Sequence, residues 1–252
     1  MVIFCAVNPL TKRFQTSPAL ARVLPFVIFL ALTVCQGQFG EASRYWFYLA
    51  KTVIGAWLVW SMRPVVVEMR WAFSREAVAV GVAVFAVWVG LDGYYPSLDQ
   101  LIQNYLCPLL KSVGLASWCP KPAQAALLWN PHLQFGAGSA MAWFMIAVRT
   151  LGSSIVVPPL EEVFYRSFLY RWIEKPDFES VPLGHFAWRP FLITSVIFGL
   201  SHSQWLAGIL CGFAYQGLVC RKKRLGDAMT AHAITNFLLS LWVVWKGAWI
   251  FW

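Results

Sequence analysis

Three short stretches hold the ionisable groups on which any chemistry in this chain must rest. They are Glu161-Glu162-Val163-Phe164-Tyr165-Arg166, Phe198-Gly199-Leu200-Ser201-His202 and His232-Ala233-Ile234-Thr235-Asn236. Each lies within or beside an apolar run. Ionisable groups at membrane depth are costly and persist where a function or a partner needs them. Glu162 and Arg166 are four residues apart with the acid first, so they can pair on one helix face. Glu161 lies about 100° around the same helix and can face another partner. His232 and Asn236, again four apart, project together, and Phe198 stands one turn before His202 on its face.

These residue types suit hydrolysis of an amide. A carboxylate desolvated by an apolar pocket is a stronger base than one in water, and it can activate a water near neutral pH. Imidazoles share proton transfer, and an Asn amide donates to a developing oxyanion. That gives catalytic work to Glu161, His202, His232 and Asn236, with Glu162, Arg166 and Phe198 organising the site. Glu161, His202 and His232 could instead bind zinc or another divalent metal, since zinc accepts two His and one Glu. No HExxH occurs, so a zincin-type site is ruled out. The residues leave metal-bound and metal-free mechanisms equally open. Buried Glu and His also mark proton- or ion-coupled transporters, but no internal repeat and no paired broken helices are visible. A non-catalytic membrane scaffold or sorting partner is the remaining alternative.

The elements that must position these groups are membrane helices. The 252 residues are 59% hydrophobic and 12% charged, about half the charge fraction of a soluble domain. Apolar runs approaching bilayer length recur throughout, and the 15 Trp and 8 Tyr suit interfacial belts. The net charge of +9 sits in short loops, which argues for positive-inside topology and against nucleic acid as a partner. The fold class is therefore all-α, a polytopic integral membrane bundle of about seven helices around a polar intramembrane cavity. Residues 1–135 form a scaffold of helices plus an external loop, residues 136–252 the catalytic helices, together one structural domain. The setting expected is a bacterial inner membrane, N-terminus inside and C-terminus outside.

In chain order, Lys12, Arg13 and Arg22 precede the apolar run 23–34, which reads as an uncleaved first helix. Span 45–62 follows, with Lys51 near its outer end and able to snorkel to the interface. Arg63, Arg70 and Arg75 mark an inner loop before the small-residue-rich span 77–91. Residues 92–135 form the longest hydrophilic region, outside, with an amphipathic segment at 101–110. Cys107 and Cys119 share it, where an oxidising compartment would join them as a disulfide; two unpaired interfacial thiols are the alternative. The central helix, 151–172, is expected to kink at Pro158-Pro159. Two short spans meet at Ser201–Gln204, and Arg221-Lys222-Lys223-Arg224 precedes the last span, 226–245. Backbone such as the Ser201–Gln204 junction is tolerated below the membrane surface only when buried or lining a wet cavity.

Depth then brings the motifs together. Counted from Trp172, Pro190 and Arg224, the groups Glu161, His202 and His232 lie roughly 17, 18 and 12 Å from the inner surface at 1.5 Å per residue. Three separate helices thus deliver ionisable groups to one slab.

The same residues resemble the EExxxR, FxxxH and HxxxN motifs of the CPBP intramembrane proteases, in that family's order, over roughly the C-terminal half of the chain. The family includes the CAAX prenyl endopeptidases and bacterial abortive-infection-type proteins. The N-terminal half resembles the branch that accompanies exosortase protein-sorting systems. The resemblance implies a membrane peptidase whose cavity opens to the inner side and whose substrate is a membrane-associated protein or peptide amid lipid. By it, Glu161 activates water, His202 and His232 assist, Asn236 stabilises the oxyanion, and Glu162 and Arg166 organise the site. One departure is Ser167, where the family commonly has Gly after the Arg; a Ser is small enough for close packing.

Overall fold

The computed structural model describes residues 9–119 and 128–252, and these form ten helices and no strand. They are α1 (Pro9–Thr16), α2 (Pro18–Val34), α3 (Ser43–Met62), α4 (Arg75–Gly90), α5 (98–112), α6 (Pro131–Phe135), α7 (Ala140–Glu174), α8 (Trp188–Leu200), α9 (Trp205–Lys222) and α10 (Leu225–Lys246). Local chemistry explains the starts. Ser17 accepts from the Leu20 N–H and Pro18 follows it, Ser74 caps α4 through the Ala77 N–H, and Ser97 with Gln100 forms a capping box for α5.

Length and apolar composition mark α7, of 35 residues, and α10, of 22, as able to cross a membrane. These are two of the seven spans expected. The apolar helices α2 and α8 are shorter, and the 13 residues of α8 reach only about 20 Å. The central helix is also longer than the expected 151–172, because residues 140–150 continue it without a break.

Glycines let neighbouring helices touch backbone to backbone. A Cβ on Gly208 of α9 would lie 2.9 Å from Gly199 Cα of α8, and one on Gly212 2.9 Å from Ser195 Cα. A Cβ on Gly81 of α4 would lie 2.7 Å from the Ala231 carbonyl of α10. Such small-residue seams are how membrane helices gain contact where lipid supplies little hydrophobic drive.

The bundle has two chemically different ends. At one, the 63–74 loop meets the chain around α7, α9 and α10: Ser74 donates to Asp227 at 2.6 Å, Thr230 to the Ala72 carbonyl at 3.0 Å, and Lys222 pairs with Glu76 at 3.1 Å. Arg63, Arg70, Lys175, Arg189, Lys223 and Arg224 all lie at this end. At the other, the 201–204 turn meets the 91–97 loop, with the Leu98 N–H on the Ser203 carbonyl at 2.8 Å. Cys107 and Cys119 form a disulfide at this second end, with a Cα–Cα distance of 5.3 Å.

Candidate active site

Helix α7 is not uniform. Two wide π-helical turns, Gly152–Val156 and Val163–Leu169, bracket the α-helical segment Val157–Glu162. The prolines account for the first. The Val157 N–H bonds to the Gly152 carbonyl, and Pro158, next in that register, has no N–H for the Ser153 carbonyl. Asn236 of α10 takes it instead, donating from Nδ2 at 2.8 Å. The kink expected at Pro158-Pro159 is thus taken up as a widened turn, and the carbonyl it releases docks α10 beside the carboxylates. Wide turns of this kind recur at functional sites.

One turn deeper, Glu162 and Arg166 are completely buried and pair as their spacing predicts, with Arg166 Nε 3.3 Å from Glu162 Oε2. His232 completes the group, its Nδ1 2.9 Å from Glu162 Oε1. The imidazole of His232 therefore pairs with Glu162, 70 positions away, and not with Glu161. Aromatic rings wall the group in. The Arg166 guanidinium lies 4.3 Å from the Phe198 ring centre, and Tyr215 stacks on His232 at 5.2 Å. Tyr215 is itself held by a 2.8 Å bond from its hydroxyl to Thr235.

Above this layer is a chamber of about 320 Å³, lined among others by Glu161, His202, His232 and Asn236. All four residues to which sequence assigned chemistry border one cavity. Glu161 Oε2 is buried there with no hydrogen-bond partner. His202 Nδ1 is 2.8 Å from the Phe198 carbonyl, which can only accept, so Nδ1 carries the proton and Nε2 is the basic nitrogen. Trp88 of α4 holds the same ring edge-on at 5.4 Å.

Residues 134–238 match the family model described as Rce1-like, type II CAAX prenyl endopeptidase Rce1-like. The match supports the resemblance of this stretch to the CPBP family. The stretch contains all three motifs and runs from the end of α6 into α10. No curated protein and no solved structure matches the chain. The match supports an intramembrane protease of the CAAX type in general, embedded in lipid and acting on a membrane-associated substrate.

The chamber leads away from the basic end. From Glu161 it passes Ser153 and Arg149 along α7, Leu239 and Ser240 along α10, and reaches Trp252. It thus runs toward the end of the bundle where the 201–204 turn lies. The basic end is closed by ion pairs: Arg22 to Glu68 at 2.7 Å, Arg171 to Glu68 at 3.8 Å, and Arg224 to Asp227 at 2.9 Å.

Ser167 belongs to that closure. Its hydroxyl donates to Glu68 and lies 3.0 Å from Arg22 Nε, and its own carbonyl accepts from Arg171 at 3.1 Å. The position therefore does more than permit close packing: it ties the motif helix to the N-terminal scaffold. Glu68 lies in a loop outside the spans. Burial raises its pKa, but the Arg22 charge and the hydrogen bonds from Ser167 and Arg22 outweigh this and hold it below its ordinary value.

Two chamber residues escaped sequence reasoning. Lys51 was expected to snorkel outward; it is only 6% exposed and turns inward, donating to Thr33 Oγ1 at 3.2 Å with its ammonium 4.4 Å from the Tyr48 ring centre. Arg149 packs over Tyr48 and Trp129 at 4.7 and 4.5 Å and lines the chamber. Glu161, which has no free cation near it in sequence, thus shares its cavity with two. A Lys seven residues into an apolar helix was the available signal, but its face is ambiguous until neighbours are placed.

Among the described residues, no three His, Cys, Asp or Glu side chains group closely enough to hold a metal ion. His232 and His202 each engage a protein oxygen through Nδ1, which leaves Nε2 as the nitrogen turned to other work. By that spacing Glu161, His202 and His232 are not a ready-made ligand set, and no step below passes through a metal.

Proposed function

We propose that the chain is an intramembrane endopeptidase that hydrolyses a peptide bond of a membrane-associated protein with Glu161 as general base. The observation that carries this reading is the buried, unpartnered Glu161 carboxylate oxygen facing a chamber that His202, His232 and Asn236 also line. A water bound between Glu161 and the basic nitrogen of His202 loses a proton to Glu161 as its oxygen attacks the peptide carbonyl. Asn236 uses one N–H on Ser153 and has a second for the oxyanion. His232, backed by Glu162, steadies charge on the same side. Glu161 then returns the proton to the departing amine, so the sum is amide plus water giving acid plus amine. The exosortase-associated look of the N-terminal helices makes a protein-sorting system the proposed setting.

The test compares protein termini in membranes from cells carrying the wild type, Glu161→Gln or His202→Ala. Loss of a general acid–base group costs about 10²–10⁴ in rate, so at least one terminus present with the wild type should be missing with each variant. Identical termini in all three strains, with the variants inserted at wild-type levels, would overturn the reading.

A further inference from the structure

Outside the chamber, across a wall formed by Arg149 and Trp252, lies a second cleft of about 390 Å³. Its other described walls are Gln36, Gly37 and Gln38 of the turn between α2 and α3, Arg44 of α3, and Trp129. Donors dominate this lining: two guanidiniums, two amides and the indoles, with no carboxylate among the described residues.

Both cations are held in place. Arg44 donates to the Glu41 and Leu128 carbonyls, each at 3.1 Å. The Arg149 guanidinium lies against the Tyr48, Trp129 and Trp252 rings at 4.7, 4.5 and 5.4 Å, and among the described residues it meets no hydrogen-bond acceptor. Stacking fixes the plane of a guanidinium and leaves the N–H groups at its edge for a ligand. Trp129 is 5% exposed, and its Nε1 is buried with no hydrogen-bond partner. A buried donor without an acceptor is rare in folded proteins, and a bound group that supplies the acceptor accounts for it.

Depth indicates the source of that group. Arg149 is 25 residues before Glu174, where α7 stops at the basic end, so about 37 Å along the helix. The hydrocarbon core of a bilayer is about 30 Å thick. With Glu174 at one membrane surface, Arg149 therefore stands in the headgroup layer of the other. Tyr45, Tyr48, Trp129 and Trp252 pack together around it, the residue types that favour this layer. Lipid phosphates lie at the same level. A tetrahedral phosphate can meet two planar guanidinium forks and an indole N–H at once.

We propose that this cleft binds the phosphate diester of a phospholipid headgroup, with Arg44 and Arg149 on its oxygens and the Trp129 indole as a further donor. The site does not depend on the protease reading. Arg44 and Trp129 lie outside the matched stretch, so the N-terminal half builds most of it.

The experiment is isothermal titration calorimetry on the full-length protein, delipidated in dodecyl maltoside. The probes are dihexanoyl-phosphatidylglycerol, dihexanoyl-phosphatidylcholine, dihexanoylglycerol and glycerol phosphate. Charge-assisted contacts predict that both phospholipids bind about 10- to 100-fold more tightly than dihexanoylglycerol. Arg44→Gln or Arg149→Gln should remove about tenfold or more of that preference. Trp129→Phe keeps the ring, loses the N–H and should weaken it several-fold, which carries the test if an Arg variant misfolds. Protection of the buried Cys211 thiol verifies folding. Arg221→Gln, in the basic run at the other end, should change nothing. Equal binding of the phospholipids and dihexanoylglycerol overturns the site, as does a phosphate preference that survives all three cleft variants. A preference lost with Arg221→Gln moves the contact to the basic end and overturns it as well. Glycerol phosphate binding as tightly as the phospholipids makes the ligand a free phosphate ester and overturns the lipid assignment.

Discussion

Replacing Arg166 by Met isolates the energetics of the buried layer beneath the chamber. Met keeps most of the apolar stem and its volume, so the cavity contribution is small. What is lost is the 3.3 Å ion pair with Glu162 and the guanidinium's seat over Phe198. Glu162 is then a carboxylate with no exposure to solvent and only His232 for company. Removing one partner of a buried ion pair costs about 3–5 kcal/mol, because the other charge stays behind without compensation. At roughly 2–4 °C per kcal/mol for a chain of this size, the midpoint should fall by about 6–20 °C. The double variant Glu162→Gln/Arg166→Met removes both charges, and Gln still offers His232 a carbonyl oxygen. It should regain at least about half of the loss, a coupling far above the few tenths expected of independent sites. The assay heats the protein in detergent and follows reaction of the buried Cys211 thiol with a maleimide dye, in a background with Cys5, Cys35 and Cys220 changed to Ser. An Arg166→Met protein within about 1 kcal/mol of its parent, or a double variant no more stable than the single, would refute the reasoning.

Two further outcomes follow. Glu68 has a folded-state pKa below its ordinary 4.5, so its contribution is complete above that value and is lost as pH falls through the lower one. The wild-type midpoint should therefore drop on acidification below about pH 4.5, and Glu68→Gln should start lower at neutral pH and lack that part of the fall. For sidedness, a membrane-impermeant maleimide added to intact cells should label Ser203→Cys at the chamber end and spare Arg63→Cys at the basic end; the opposite pattern would reverse the orientation.

Much of the site was legible because its signals are local. Charged residues stand out inside apolar runs, and four-residue spacing fixes which of them share a helix face, as with Glu162 and Arg166. The last three helices were readable for a similar reason. Basic residues and the Ser201–Gln204 junction punctuate them: one helix ends at Leu200 and the next starts at Trp205, on either side of that junction, and the last starts at Leu225, within one residue of the expected 226. The membrane class followed from composition, and the family match over 134–238 supports the reading drawn from the motifs.

What the chain order left undecided concerns contacts between helices. Glu161 and Glu162 are adjacent and chemically identical, and nothing in their neighbours says which one His232 meets. Only the rotation of α10 against α7, pinned by Asn236 on the carbonyl that Pro158 leaves free, gives His232 to Glu162 and leaves Glu161 facing the chamber. Lys51 is a similar case, since a single Lys on an apolar helix can point to the interface or inward. Its direction is set by the Phe29 and Tyr48 rings packed around it. Spacing along one helix is covalent and therefore written in the sequence, whereas the angle between two helices is chosen by the packing of all their side chains at once.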